Sequence, residues 1–257
     1  MQKVETIEKR FNVTADKDFV FEPSYNIGPG KYAPVITNEN PKVLQLYQFG
    51  LTPFWAKKKM YLFNARAEGD RNKENDGHYS GAKAIVMKPA FRKPIRSQRC
   101  LVIADAFIDG PVTEKLDKPY VVYLKDNVRP FAFAGIWDKW EGEDGEIVYS
   151  FAIITTTAND LLRKIGHDRL PVILPRNREN VWLNNDLPLA DVTHCLEPYP
   201  AQLMNAYPIA PAIKNPKADG RQLLDPVGQR IEPEHEAKGK VELELHGMGH
   251  YKRGFKH

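Results

Sequence analysis

The run Phe151-Ala152-Ile153-Ile154-Thr155-Thr156-Thr157 constrains the fold more than any other stretch of this chain. Its apolar and β-branched side chains fit a buried strand and would lose rotamer freedom in a helix. The polar pair Asn159-Asp160 then supplies a cap for a short helix over Leu161 to Ile165, and Pro171 is expected to start a second strand. His167 falls on the connection between them, followed by Asp168 and Arg169. A histidine beside a carboxylate and a guanidinium, on a loop braced by two strands, is placed to move a proton or to grip an anion. The same residues also fit an ordinary surface loop of mixed charge.

Strand signals recur along the chain. Val43 to Leu51 alternates, Cys100 to Ile108 reads as one fully buried strand, and Tyr120 to Leu124, Phe131 to Ile136, Ile147 to Thr157 and Met204 to Ile209 add more. Helical patterns are fewer: Glu5 to Phe11, a short basic helix over Pro89 to Gln98, Asn177 to Asn185 and Asp191 to Leu196. With no internal repeat and no regular βα alternation, an α+β fold around a curved, mostly antiparallel sheet with flanking helices follows. The Gly- and Pro-dense loop around Tyr25 to Pro34 is expected to have a fixed, irregular backbone. Gly69 to Gly81 is polar without periodicity, and we expect a mobile surface insertion there. After Val227 acids and bases mix, and four of the seven histidines follow without metal-ligand spacing. We therefore expect one domain over residues 1–228 and a loosely held extension over 229–257.

Composition narrows the function classes. In 257 residues, 42% of them hydrophobic, a sizeable core can be buried. No run approaches the roughly 20 apolar residues of a membrane span, and the start lacks the apolar core of a secretory signal, so a cytoplasmic protein is expected. Cys100 and Cys195 are too few for a disulfide framework or a zinc site, and no metal or other cofactor is expected. Cys100 lies in an apolar run and reads as a core thiol; Cys195 follows His194, but neighbours in sequence do not face each other on a helix. The net charge of +4 is unevenly spread. No acid occurs from Gly77 to Ala104, where Lys83, Lys88, Arg92, Lys93, Arg96 and Arg99 fall, shortly after Lys57-Lys58-Lys59. That stretch suits phosphate binding as well as it suits a plain solvated face. Phe54 and Trp55 are either core or a stacking platform.

Six ordered segments carry a family resemblance. Tyr25-Asn26-Ile27-Gly28-Pro29-Gly30, Phe49-Gly50-Leu51-Thr52-Pro53-Phe54-Trp55, Asn64-Ala65-Arg66-Ala67-Glu68, Arg99 to Asp105, Ala134-Gly135-Ile136-Trp137 and Ile165 to Leu174 resemble the SRAP family, the SOS-response-associated-peptidase or abasic-site-processing proteins. Ile213-Lys214-Asn215-Pro216 resembles its closing segment. The resemblance implies a single α+β domain with a barrel-like sheet and a basic cleft for single-stranded DNA. It implies a role in the DNA damage response, in which a cysteine after the initiator methionine links covalently to the open-chain aldehyde of an abasic site. A free α-amine is partly neutral at cellular pH and condenses with the aldehyde, and a thiol on the same residue closes a thiazolidine. The family is also associated with peptidase, hydrolase or lyase activity. By motif, His167 would transfer protons, Asn64 would position the N-terminal residue and Arg66 would grip a phosphate. Phe54 and Trp55 would stack on bases, and Asn26, Lys88, Arg92, Arg96 and Arg169 would complete the DNA-contacting set. The expected partner is single-stranded DNA with abasic sites, bound by a monomer.

Three departures qualify this. Position 2 is Gln2, without a thiol, and the distance to Arg10-Phe11 is short for the family, so either the chain is an altered member or a coding start lies upstream of Met1. Asp109 stands where the family carries a catalytic glutamate, and its carboxylate reaches about 1 Å less far. Gly110 stands where an aromatic is expected. A crosslinking protein, a non-catalytic single-stranded-DNA-binding module and a self-processing peptidase therefore remain as readings.

Overall fold

The two longest strands explain the architecture. The computed structural model describes residues 3–17 and 19–234. Its strands are β1 (Thr14–Ala15), β2 (Tyr32–Thr37), β3 (Val43–Phe49), β4 (Asn64–Arg66), β5 (Arg99–Ala104), β6 (Ala106–Asp109), β7 (Tyr120–Leu124), β8 (Phe131–Glu141), β9 (Ile147–Thr157), β10 (Arg169–Pro171), β11 (Ile173–Leu174) and β12 (Met204–Pro208). The α-helices are α1 (Val4–Phe11), α2 (Pro94–Ser97), α3 (Asp160–Lys164), α4 (Arg176–Leu183) and α5 (Leu189–Thr193).

β8 and β9 form an antiparallel hairpin whose register pairs Gly135 with Ile153 and Glu141 with Ile147. From it the sheet runs through β5 and β2 to β3, and β3 returns to β9 in parallel at Gln48↔Ser150 and Phe49↔Phe151. The result is a closed five-stranded barrel, antiparallel at every seam but that last one. β4 adds in parallel beside β9, and β10 and β11 pair with β9 and β8. A second, antiparallel sheet of order β12-β7-β6 stands apart.

The alternation of Phe131-Ala132-Phe133-Ala134 sorts the core. Side chains of successive strand residues point to opposite faces. Small residues Ala132, Ala134 and Ala152 join the cluster that receives Ile7 of α1, Trp182 of α4 and Val192 of α5. Large ones, Phe131, Phe133, Trp137 and Phe151, pack with Val122, Leu124 and Met204 of the second sheet and with Leu161 and Leu162 of α3. The barrel is thus covered by α1, α4 and α5 through one set of residues and by the small sheet and α3 through the other.

Four expectations need correction. Cys100 to Ile108 is not one strand: the chain breaks at Asp105, β5 pairs with β2 and β8, and β6 leaves for β7. A run that is apolar on both sides of Asp105 hides such a change of sheet, because buried β5 and half-buried β6 carry the same kind of side chain. Pro171 ends a strand instead of starting one, since β10 is Arg169–Pro171. The basic helix shrinks to Pro94–Ser97, which Pro94 opens at a position where its missing N–H costs nothing. Arg99 leaves the basic surface altogether. It is 1% exposed, and its guanidinium donates to the carbonyls of Trp182, Ile95, Arg96 and Asn184 and to Asn185 Oδ1 over 2.6–3.1 Å, tying α2 to the end of α4.

Gly69 to Gly81 is a chain of bonded turns. Asn72 is buried and closes its own loop, with Nδ2 donating to the Asp76 carbonyl and Oδ1 accepting from the Asp76 N–H at 3.0 and 2.8 Å. At the other end of the chain, Ile231 donates to the Ala206 carbonyl and Asn205 Nδ2 to the Glu232 carbonyl, so residues 229–234 run against β12. Residues 235–257 of the expected extension, with Met1, Gln2 and Asp18, lie outside the described residues. No described helix is long and apolar enough to cross a membrane.

Candidate active site

A cleft of about 860 Å3 opens between the barrel and the second sheet. Its apolar side is made by Val102, Phe107, Phe133 and the stacked pair Phe49 and Phe151, whose rings lie 5.2 Å apart. Asn64, Arg66, Asp109 and His167 line its polar side. They come from β4, from the end of β6 and from the loop after α3, and each segment has a local reason to put its side chain there.

β4 pairs with β9 so that Ala65 is buried while Asn64 and Arg66 face the other way. β6 ends at Asp109, whose Oδ1 accepts from the Gly110 N–H at 2.9 Å. A side chain at Gly110 would put its Cβ 2.0 Å from the Lys115 carbonyl oxygen, so the turn after β6 fills the space where the family pattern has an aromatic. His167 follows α3, which Asn159 caps by accepting from the Leu162 N–H at 3.1 Å. Such a cap contributes about 1 kcal/mol. Gly166 then turns the chain at a φ of +83°, a conformation that favours glycine. Its carbonyl accepts from the Val112 N–H at 3.0 Å, which joins the turn after β6 to the histidine loop.

These two loops meet at the ring. His167 Nε2 lies 3.2 Å from Asp109 Oδ1. The other nitrogen, Nδ1, is 2.9 Å from the Arg169 carbonyl oxygen and 3.1 Å from the Arg169 backbone nitrogen. When Nδ1 carries a proton it donates to that carbonyl; when it does not, it accepts from that N–H. One backbone residue therefore serves both neutral tautomers, and the ring can give or take a proton at Nε2 without turning. Burial holds the Asp109 carboxyl above the usual carboxylate range, against the opposing pull of His167 and the Gly110 N–H. A carboxyl with a raised pKa beside an imidazole is an arrangement for proton exchange.

The loop is held from below. Arg169 is 9% exposed and turns inward, where Nη2 donates to Glu68 Oε2 and to the Thr155 carbonyl, both at 2.8 Å. Glu68 also accepts from Thr156 Oγ1 at 2.9 Å. Burial alone would raise the Glu68 pKa, but the charge and hydrogen bonds of Arg169 outweigh it and hold the carboxyl below its ordinary value. Arg169 lines the cleft while its guanidinium is committed to this buried pair.

The remaining sequence-derived residues are dispersed. Asn26 lines the cleft, but its Nδ2 lies 3.0–3.1 Å from the carbonyls of Ile213, Asn215 and Ala218, which latch the closing segment. Phe54 and Trp55 are about half exposed, at 51% and 50%, and stand outside the cleft lining. Lys93 Nζ sits 4.4 Å over the Phe54 ring. Lys88 pairs with Asp70, and Arg96 Nη1 donates to the carbonyls of Val86 and Arg92 while Arg92 itself is exposed. Sequence reasoning gives no site role to Glu68, Thr155 or Asn75. Glu68 has a signal, since a two-residue period from Asn64 runs through Arg66 to Glu68; Asn75 has none.

Among the described residues the cleft lining holds no thiol. Cys100 and Cys195 are both buried in the cores, and burial pushes both thiols up. Among the same residues no group of three or more His, Cys, Asp and Glu side chains could hold a metal ion.

The family model for "SOS response associated peptidase (SRAP)" matches residues 1–216. The chain is 36% identical to the abasic site processing protein YoaM of Bacillus subtilis over 212 residues, covering 80% of this chain and 86% of that protein. It is 24% identical to the mouse abasic site processing protein HMCES over 258 residues, covering 84% and 69% of the two chains. A crystal structure of a protein from Bacteroides thetaiotaomicron superposes with a TM-score of 0.64 at 30% identity, over 77% of this chain and 82% of that one. Another, from Bordetella bronchiseptica, shares the fold with a TM-score of 0.63 at 23% identity, over 81% and 96%.

Proposed function

Because this chain belongs to the SOS response associated peptidase family, we propose that it processes abasic sites in single-stranded DNA, with Asp109 and His167 as its acid–base pair. The observation that carries this reading is the 3.2 Å approach of two titratable groups delivered to one cleft from separate sheets. An abasic deoxyribose is mostly a closed hemiacetal. Opening it requires one proton taken from the anomeric hydroxyl and one given to the ring oxygen, which an acid and a base held side by side can perform. Imine formation at the exposed aldehyde then needs a proton on the departing hydroxyl, and Nε2 of His167 supplies it with Asp109 as its reservoir. Asn64, exposed at the same mouth, orients the reacting amine or sugar, and half-buried Arg66 meets a flanking phosphate. The half-exposed aromatics Phe54 and Trp55 support a single-stranded substrate, whose unpaired bases can stack on them.

The covalent step depends on the nucleophile that meets the aldehyde. A primary amine gives an imine, and an adjacent thiol is needed for the thiazolidine; Gln2 carries none, and both internal thiols are buried. The polypeptide of this sequence is expected to form an imine that borohydride traps, and a Met-Cys start is expected to convert it to an adduct that survives heating without reductant. Anisotropy titrations and denaturing gels with abasic and intact oligonucleotides test both parts. Absence of binding at low salt refutes the substrate, while binding with no trapped adduct leaves a DNA-binding module without the chemistry.

A further inference from the structure

We propose that Asn75 is a positioning residue whose carboxamide clips Asp168 and Arg169 together, so that Asp109, and not Asp168, is the carboxylate that pairs with the His167 ring. The inference rests on the reading of Asp109 and His167 as the acid–base pair, and its geometry comes from the segment that sequence marks as a mobile insertion.

Asn75 commits both ends of its amide to the residues that follow His167. Its Nδ2 donates to Asp168 Oδ2, and its Oδ1 accepts from Arg169 Nη1 at 3.2 Å. Its backbone is left-handed, at a φ of +55°, a conformation that asparagine tolerates better than other residues with a side chain. The turn beneath it is stiff. Asn72 closes that turn on Asp76, and Arg66 Nη1 donates to the Asn72 carbonyl at 3.2 Å. Two residues on, Gly77 lies against the guanidinium of Arg163, which reaches out from α3: a Cβ there would stand 1.6 Å from Arg163 Nη2. The segment is therefore docked on both flanks of the histidine loop.

The electrostatic setting shows why a clip is needed. Asp109 from β6 meets the ring, Asp168 and Arg169 follow it in its own loop, and Arg66 from β4 lines the same cleft, while Glu68 pairs with Arg169 behind it. Lys115 lines the cleft from the turn after β6, and the guanidinium of Arg163 reaches from α3 to Gly77. The two arginines with inward roles are already engaged, Arg169 with Glu68 and Arg163 with the Ala158 carbonyl and Gly77. Asp168 lies in the same cleft lining and acts on Asp109, so a freed Asp168 carboxylate would compete for the imidazolium. The amide of Asn75 gives that carboxylate a donor elsewhere.

The test reads the ring without DNA, so its failure is distinguishable from failure of the substrate reading. The pKa of His167 is followed by NMR of the imidazole Cε1–H in the full chain, with His167→Gln to assign the resonance. In Asn75→Gly, which accepts the left-handed backbone, the His167 pKa is expected to rise by about 1 unit as Asp168 is released. In Asn75→Gly with Asp168→Asn it is expected to return to the wild-type value. A wild-type titration in the single variant, or a shift that persists in the double variant, overturns the proposal. If Asn75→Gly does not stay folded, Asp168→Asn alone decides: a clipped carboxylate contributes little, so the expected fall is under about 0.3 unit, and a fall of about 1 unit overturns the clip.

Discussion

Asp109 and His167 meet at 3.2 Å although one ends a strand of the three-stranded sheet and the other follows the helix after β9. Two loops are pinned to each other beside them, through the Val112 N–H and the Gly166 carbonyl. On the proposed acid–base reading, a pair held this way trades stability for chemistry, and that trade can be measured.

Asp109→Asn is expected to slow adduct formation by roughly 10²-fold, the usual share of a general acid or base. The same variant is expected to be at least as stable as wild type at pH 7. The folded carboxyl is held above its unfolded value, so the native state binds a proton more readily. Its contribution is fully present below about pH 4 and is lost as pH rises through the folded value. An amide lacks that loss. Melting curves at pH 4 and pH 7 check the sign: a variant clearly less stable than wild type at pH 7 would show that burial of the charge is not the dominant effect.

Asn26→Ala is expected to cost about 1–3 kcal/mol of stability, because three carbonyls of the closing segment lose their shared donor. Affinity for single-stranded DNA per folded molecule should not change. Thermal melts and anisotropy on one preparation separate this latch from a DNA-contacting role, which would give the reverse pattern.

These residues show where sequence is informative. The alternation of Phe131 to Ala134 and the β-branched run to Thr157 carry burial and period, and both are visible in a one-dimensional string. Asp109, His167, Asn64 and Arg66 are legible as a set through motif order, and all four line one cleft. The change of sheet at Asp105 is not legible, because an apolar run looks the same whichever partner covers it. Arg99 misleads for a related reason: charge in a sequence gives no sign of whether five acceptors wait in the core. Asn75 acts through long-range bonds to Asp168 and Arg169 that no local pattern announces.

Glu68→Gln, behind the cleft, is expected to be strongly destabilising, by about 3–5 kcal/mol, since it strands the buried charge of Arg169. The folded pKa of Glu68 lies below its unfolded value, so its contribution is present above about pH 4 and is lost as pH falls through the folded value. Wild-type and variant melting temperatures should therefore converge on acidification. A loss under about 1 kcal/mol at pH 7 would mean that Arg169 finds another partner.

On the proposed single-stranded substrate, stacking and charge should make separable contributions to affinity. Phe54 and Trp55 are about half exposed, at 51% and 50%, so alanine at either should leave the melting temperature near wild type. It should cost about 1–3 kcal/mol of binding per stacked base. That loss should be the same at low and high salt, because no counterion is released by stacking. Arg92→Ala and Arg96→Ala remove surface charge instead, and each phosphate left unneutralised should flatten the log–log salt dependence by about 0.7. Arg99→Lys supplies the control: its guanidinium is buried on backbone carbonyls, so it should lower the melting temperature and leave the salt slope alone. Anisotropy titrations over a salt series decide among them. A slope left unchanged by Arg92→Ala and Arg96→Ala would place the phosphate path away from the exposed basic turn before β5.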